Sequence, residues 1–247
     1  MKGKDNMSHK TLFLQQSYED CTRQYMKLLD TKRIPLWDYV ILTASNESQA
    51  QSYRMQIQYR LDHGMLPKSI HYAVLPDPDG KRVGSGGATL NVLRYIHQDA
   101  GSFDDKRILV IHSGGDSKRV PQYSACGKLF SPVPRLLPNG RRSTLFDEFM
   151  ISMCGVAARI RAGMLVCSGD VLLLFNPLQI DFYGSGAAAL SIKEPAEIGK
   201  NHGVYRVDEQ GNVGGFLHKK TVDQLHELQA ADENGNVDID TGVVIMD

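Results

Sequence analysis

Apolar positions along the chain fall into strand-length runs separated by stretches with a helical period. "DYVILTA" (38–44) is a nearly unbroken apolar run, the pattern of a strand buried on both faces in a parallel sheet. "SNESQAQSYRMQIQYRLDHG" follows with Ser or Asn as cap, a helical period and Gly64 as stop. "SIHYAVLP" (69–76) is the next strand and ends in the turn sequence "DPDG". "ATLNVLRYIHQ" reads as a helix and "RILVIH" as a third strand. Downstream, 144–160 has helical periodicity, and "GMLVCSGDVLLLF" (163–175) reads as strand, Gly-Asp turn and apolar continuation. "AAALSIK", a hairpin around "DEQGN", and "DTGVVIMD" supply further strands. Near the N-terminus, Tyr18, Tyr25, Leu28 and Leu29 mark a short amphipathic helix over 17–30.

Strands alternating with helices predict an α/β fold with a mostly parallel sheet. The simplest organisation is an N-terminal helical segment (1–36) followed by one α/β domain (37–247). The last apolar run stops directly at Asp247 with no cap or polar tail, so the domain is expected to be cut at its C-terminal end. The 247 residues suffice for a sizeable core.

Charge and cysteine usage narrow the function classes. The formal net charge is zero, so no global field argues for a nucleic acid or an anionic membrane as partner. The longest apolar runs are too short for a transmembrane helix. The polar start "MKGKDNMSHK" is followed by no apolar segment, so no secretory signal is expected. Cys21, Cys126, Cys154 and Cys167 form no CxxC pair or zinc spacing, which suits a reducing cytoplasm.

The chemistry concentrates in two glycine clusters. "RILVIHSGGDSKR" is a strand, small residues, two glycines and then basic side chains, the arrangement of an anion-binding nest at a strand's carboxyl end. It is neither a Walker A sequence nor a G-x-G-x-x-G fingerprint. Arg119 can fork onto two phosphate oxygens, and Lys118 or Lys128 offers a point charge. "GSGG" upstream (Gly84, Gly86, Gly87) fits a flexible strand-to-helix loop as well as a ligand wall. Asp170 in "SGD" closes a strand and suits Mg²⁺, although a turn Asp explains it too. His112 before the Gly-Gly fits either a ligand contact or a satisfied strand-end histidine. Trp37, Met150, Met153 and Met164 are expected in the core, and Cys126 as an incidental small residue.

Taken together, these motifs resemble the sugar-nucleotide pyrophosphorylases. Their signature is a strand, then G-G-x-G-T-R-L-x-P and a later Pro-Lys. Gly114, Gly115, Arg119 and Lys128 fall on that pattern, and Pro132-Val133 on the "PV" that follows. Ser117 stands where the pattern has its third Gly, Lys118 where it has Thr, and Gly127 where it has Pro. With "GSGGATL", "CSGDV", "NHGVY" and "DTGVVIMD", the chain from about residue 37 resembles the L-fucose-1-phosphate guanylyltransferase family.

The resemblance implies a Rossmann-like sugar nucleotidyltransferase fold with a mostly parallel mixed sheet. It also implies the reaction of GTP with L-fucose 1-phosphate to give GDP-L-fucose and pyrophosphate, with Mg²⁺ as cofactor. Gly114, Gly115 and Ser117 would cradle the triphosphate, Arg119 would clamp the departing phosphates, and Lys128 would offset charge at the reacting phosphates. Gly84, Gly86 and Gly87 would wall the nucleotide pocket, and Asp170 would hold Mg²⁺. His202 and Gly203 would lie toward the sugar with Lys219, for which Lys220 is the alternative. Asp240 is the candidate second metal ligand, equally explained by a strand-entry turn. Family members continue into a β-helical region and, in fused forms, a sugar kinase. The alternatives are a nucleotidyltransferase for another sugar 1-phosphate and a non-catalytic nucleotide-binding fragment.

Overall fold

The computed structural model describes residues 8–30, 35–113, 121–123, 127–177 and 186–247. The chain divides into two compact units, one comprising Met1–Gly186 with Met246–Asp247, the other Ala187–Ile245.

The first unit is built on parallel strands. β1 (Tyr39–Ala44), β2 (His71–Pro76), β3 (Arg107–His112) and β6 (Gly163–Ser168) pair in the order β2-β1-β3-β6, all parallel. All six residues of β1 are buried, as its unbroken apolar run predicts. Between strands run α2 (Glu47–Asp62) and α3 (Gly84–Ala100). α2 starts where the Asn46 side chain accepts from the Gln49 N–H, and it buries Ala50, Tyr53, Ile57 and Arg60 on one stripe. Tyr39, Ile41, Ile108, Val110 and Met164 meet Val92 and Ile96 of α3 in one cluster, each aliphatic side chain contributing about 1.5–3 kcal/mol by burial.

α4 (Leu145–Ala157) starts with a capping box between Thr144 and Asp147 and is buried almost all round. α1 (His9–Asp30) packs against it through the stripe Cys21, Tyr25 and Leu28. It begins eight residues earlier than the apolar spacing predicts, because its first turns are exposed and carry no amphipathic signal. A small antiparallel hairpin, β4 (Pro132–Leu136) with β5 (Arg142–Thr144), lies between β3 and α4 in the sequence. Its prolines and short strands hide it from pattern reading. Trp37, Met150, Met153 and Met164 are core residues, as expected.

The second unit is antiparallel. β8 (Gly203–Val207) and β9 (Val213–His218) form the hairpin predicted around "DEQGN", its turn held by Asp208 accepting from the N–H groups of Gln210 and Asn212. β10 (Asn236–Met246) pairs with β8 and with β7 (Ala187–Pro195). α5 (Ala196–Gly199) and α6 (Val222–Glu227) cover this sheet, and Ala196, Val204, Leu225, Val237 and Ile239 form its core. The architecture is α/β and Rossmann-like, with parallel strands first and antiparallel strands later.

Two local expectations change. "GSGG" is no loop: it is the first turn of α3. The apolar run after Asp170 (171–175) does not continue as a strand.

Candidate active site

The strand register puts three polar side chains in one row at the carboxyl edge of the parallel sheet. Thr43 of β1 pairs with His112 of β3, which pairs with Ser168 of β6. Each ends an otherwise apolar run, and this edge is where open α/β sheets bind ligands.

Asp170 leaves β6 two residues beyond Ser168. Its Oδ1 accepts from the Ser168 hydroxyl at 2.9 Å and its Oδ2 from Lys128 Nζ at 3.2 Å. Burial alone would raise this carboxyl, but the Ser168 hydrogen bond and the Lys128 ammonium outweigh it and hold it below the usual range. Gly169 makes the approach possible. Its N–H donates to the His112 carbonyl at 2.8 Å, and a Cβ there would press on that oxygen, Ile111 and Ser113. The side chains of Lys128 and Asp170 are 34% and 51% exposed, so both can turn toward a ligand.

Lys128 opens a short 3₁₀ turn (Lys128–Phe130) whose apolar end is anchored deeply. Phe130 packs on Phe146, and the Arg60 guanidinium lies over both rings at 5.1 and 5.6 Å. Arg60 in turn forks onto Asp147 at 2.7 and 3.0 Å and reaches the Thr144 hydroxyl. The buried pair thus ties α2, the cap of α4 and the Lys128 turn together.

The first turn of α3 has Val83 at its cap and no side-chain hydrogen bond to its N–H groups, unlike α2, α4 and α6 with their Asn46, Thr144 and Thr221 caps. Gly84 needs its φ of +71°, and a Cβ on Gly87 would strike Val83. Gly86 has neither constraint: a Cβ there would meet open space. His112 is joined to this helix through Thr89, and its pKa is lowered by burial.

Four of the expected residues gather in the second unit. The Lys219 N–H donates to the His202 carbonyl at 3.0 Å, at the open end of the β8–β9 hairpin. Gly203 lies against Phe216, whose ring a Cβ would strike, and Asp240 is beside it. Asp240 sits within β10, not at its entry, and its Oδ1 accepts from the Tyr205 hydroxyl at 2.8 Å and the Gly242 N–H at 2.7 Å. Burial and this carboxylate push the Tyr205 hydroxyl up. Lys219 holds a left-handed φ of 49°, which costs a non-glycine residue about 1–2 kcal/mol. Gly114, Gly115, Ser117, Arg119 and Cys126 lie outside the described residues.

Among the described residues no three His, Cys, Asp or Glu side chains cluster as a metal cage. A lone, half-exposed, ionised carboxylate at a strand end still fits Mg²⁺, which takes one or two carboxylates and fills its sphere with phosphate oxygens and water. The described cysteines are poor nucleophiles. Burial, with help from Asp20, pushes the Cys21 thiol to about 11, and burial raises Cys154 and Cys167 as well. Thr43, Tyr53, Ser113, Ser168 and Arg60 escaped the motif reading. For Thr43, Ser113 and Ser168 the available signal was a polar residue near the end of each apolar run; Tyr53 and Arg60, inside α2, had none.

Residues 100–247, more than half the chain, match the family model for the fucose pyrophosphorylase domain. The chain is 32% identical over 247 residues to a bifunctional fucokinase/GDP-fucose pyrophosphorylase of Arabidopsis thaliana, covering 86% of this chain and 23% of that protein. It is 32% identical over 209 residues to the fucose-1-phosphate guanylyltransferase of Mus musculus, covering 78% of this chain and 35% of the relative. The human protein of that name is 30% identical over 218 residues, covering 81% of this chain and 35% of its own length. The chain therefore spans about a third or less of these relatives' length. On the extent of the family match, and with a parallel sheet whose carboxyl edge carries the Lys128–Asp170 pair, the chain belongs to the fucose pyrophosphorylase domain family.

Proposed function

We propose that the chain transfers GMP from GTP to L-fucose 1-phosphate, giving GDP-L-fucose and pyrophosphate. The observation that carries this reading is the Lys128–Asp170 pair: a cation and an ionised carboxylate in contact where the family signature calls for phosphate and metal handling. The family match and the names of the relatives support the substrate class.

In this reading a phosphate oxygen of the sugar phosphate attacks the α-phosphorus of GTP in line. One P–O bond forms while the bond to the β-phosphate breaks, its electron pair leaving with pyrophosphate. The attacking oxygen is already anionic, so the step needs no protein nucleophile or base. What the protein supplies is position and charge. Lys128 exchanges Asp170 for the reacting phosphates and offsets their charge, while Asp170 is left to hold Mg²⁺. When bound, Mg²⁺ supplies further neutralisation of the phosphate oxygens. The exposed N–H groups of the Gly84–Gly87 turn donate toward the nucleotide. Gly114, Gly115, Ser117 and Arg119 are assigned to the triphosphate by their place in the signature. His202, Gly203 and Lys219 are assigned to the sugar. Asp240, already engaged by Tyr205 and Gly242, is kept as the second candidate for the metal.

No helix among the described residues is long and apolar enough to cross a membrane, and Cys21, Cys154 and Cys167 are free. The free thiols support action in the reducing cytoplasm. Two relatives carry fucokinase in their names, which supports a sugar kinase as the source of the substrate.

A substrate panel tests the assignment. With Mg²⁺ present, GTP and fucose 1-phosphate should turn over at least tenfold faster than ATP or UTP, or than other sugar 1-phosphates. Preference for another pair would replace the substrate, and GTP binding with no turnover on any sugar phosphate would replace the activity.

A further inference from the structure

His112 is bonded at both ring nitrogens. Its Nδ1 lies 3.1 Å from Thr43 Oγ1 and its Nε2 lies 3.0 Å from Thr89 Oγ1. The Thr89 hydroxyl also donates to the Ser85 carbonyl at 2.9 Å. A hydroxyl has one hydrogen and a carbonyl oxygen can only accept, so Thr89 Oγ1 has only lone pairs left for the imidazole. Nε2 therefore carries the ring hydrogen. Half-buried, the ring favours its neutral form. Nδ1 is then an acceptor, and Thr43 donates to it.

The result is a directed chain of hydrogen bonds: Thr43 to His112, His112 to Thr89, Thr89 to the Ser85 carbonyl. It starts on β1, crosses the end of β3 and finishes inside the first turn of α3, between Gly84 and Gly86. That turn has no polar cap of its own. We propose that His112, as the Nε2–H tautomer, is a positioning residue that fixes the Gly84–Gly87 turn over the carboxyl edge so that its N–H groups meet the nucleotide. This inference rests on the reading of that turn as a wall of the GTP pocket. His112 itself touches no reacting atom in this scheme.

The test uses the full chain and two amide replacements that divide the histidine's bonds. His112→Gln carries an amide N–H far enough out to reach Thr89, whereas His112→Asn is shorter and reaches Thr43 only. In the wild type, ¹⁵N spectra should show hydrogen on Nε2; hydrogen on Nδ1 overturns the proposal. Amide hydrogen exchange, which needs no substrate, is read over residues 88–91, whose N–H groups bond back to the carbonyls of the 84–87 turn. It should quicken about five- to tenfold in His112→Asn, the scale of one lost hydrogen bond, and stay near wild type in His112→Gln. The KM for GTP should rise by a similar factor in His112→Asn with kcat within about twofold, and His112→Gln should restore it. Should His112→Asn fail to fold, Thr89→Val against Thr89→Ser gives the same contrast at the other end of the bond. Equal behaviour of the paired variants, or faster exchange with an unchanged KM, overturns the positioning role. A wild type that turns over no GTP counts against the guanylyltransferase reading, and the exchange contrast then decides the relay alone.

Discussion

Tyr53 and Gly127 are in contact at a point where any other residue would collide: a Cβ on Gly127 would overlap the phenol oxygen. The same hydroxyl is 2.8 Å from the Ser113 hydroxyl and 3.0 Å from the Ser113 carbonyl oxygen. One buried tyrosine on α2 thus fixes both the residue before the Gly-Gly sequence and the residue before Lys128. This explains why glycine stands at 127 where the wider signature has proline. The position needs a φ of +66° and lacks room for a ring.

Gly127→Ala should lower stability by about 1–3 kcal/mol, the usual cost of overpacking, and should lower turnover by displacing Lys128. Tyr53→Phe should cost about 1 kcal/mol for its lost hydrogen bonds and leave the ring packing in place. Denaturant unfolding of both variants checks the order; an alanine tolerated without cost would mean that Gly127 is not held as described.

The two ion pairs near the site should separate cleanly. Arg60 and Asp147 are 5% and 6% exposed, so Arg60→Ala leaves the buried Asp147 carboxylate with its Thr144 hydrogen bonds but without its cation, and should cost about 3–5 kcal/mol. Lys128→Ala breaks a pair open to solvent and should cost no more than about 1 kcal/mol. Urea midpoints read the difference. A Lys128→Ala loss as large as that of Arg60→Ala would make Lys128 a structural residue.

Gly86 offers the sharpest opposition of stability and function. Alanine there meets open space and favours helix, so Gly86→Ala should stabilise the fold by about 0.5–1 kcal/mol. If the turn faces the nucleotide, the added methyl should raise the KM for GTP several-fold. A stabilised variant with unchanged KM would take Gly86 out of the pocket wall.

The pH behaviour of Asp170 follows from its lowered carboxyl pKa. The stability it contributes is in place above the ordinary aspartate value of about 3.9 and is lost as pH falls through its lower folded value. It is therefore ionised throughout neutral pH. Above the range at about pH 6 where the substrate phosphates titrate, wild-type turnover should need a constant Mg²⁺ concentration as pH rises, while Asp170→Asn should need about tenfold more or fail to saturate. An unchanged metal titration in Asp170→Asn would remove it as the ligand.

Much of this was legible in the sequence. The unbroken apolar runs of β1 and β3 announced parallel strands, and "SGD" announced a carboxylate at a strand end. The signature assigned Lys128 to the phosphates and Asp170 to the metal, and their direct contact emerged only in the folded chain. What escaped was chemistry carried by residues to which no motif assigned a role. Thr43, Thr89 and Ser168 act through strand register and helix phase, which only the assembled sheet provides. "GSGG" read as a loop because four small residues have weak helix propensity, and tertiary packing of Ala88, Val92 and Ile96 overrides it. Arg60 carries no signal of its own in the sequence, because its buried fork with Asp147 needs α2 and α4 side by side.

The most direct measurement is product formation by the purified chain and its Lys128→Ala variant with GTP, Mg²⁺ and fucose 1-phosphate. The wild type should form GDP-fucose and pyrophosphate one for one, and only when fucose 1-phosphate is present. Lys128→Ala, with an unfolding midpoint near wild type, should do so about two to three orders of magnitude more slowly. Full-rate turnover by the folded variant, or pyrophosphate release independent of the sugar phosphate, would contradict the account.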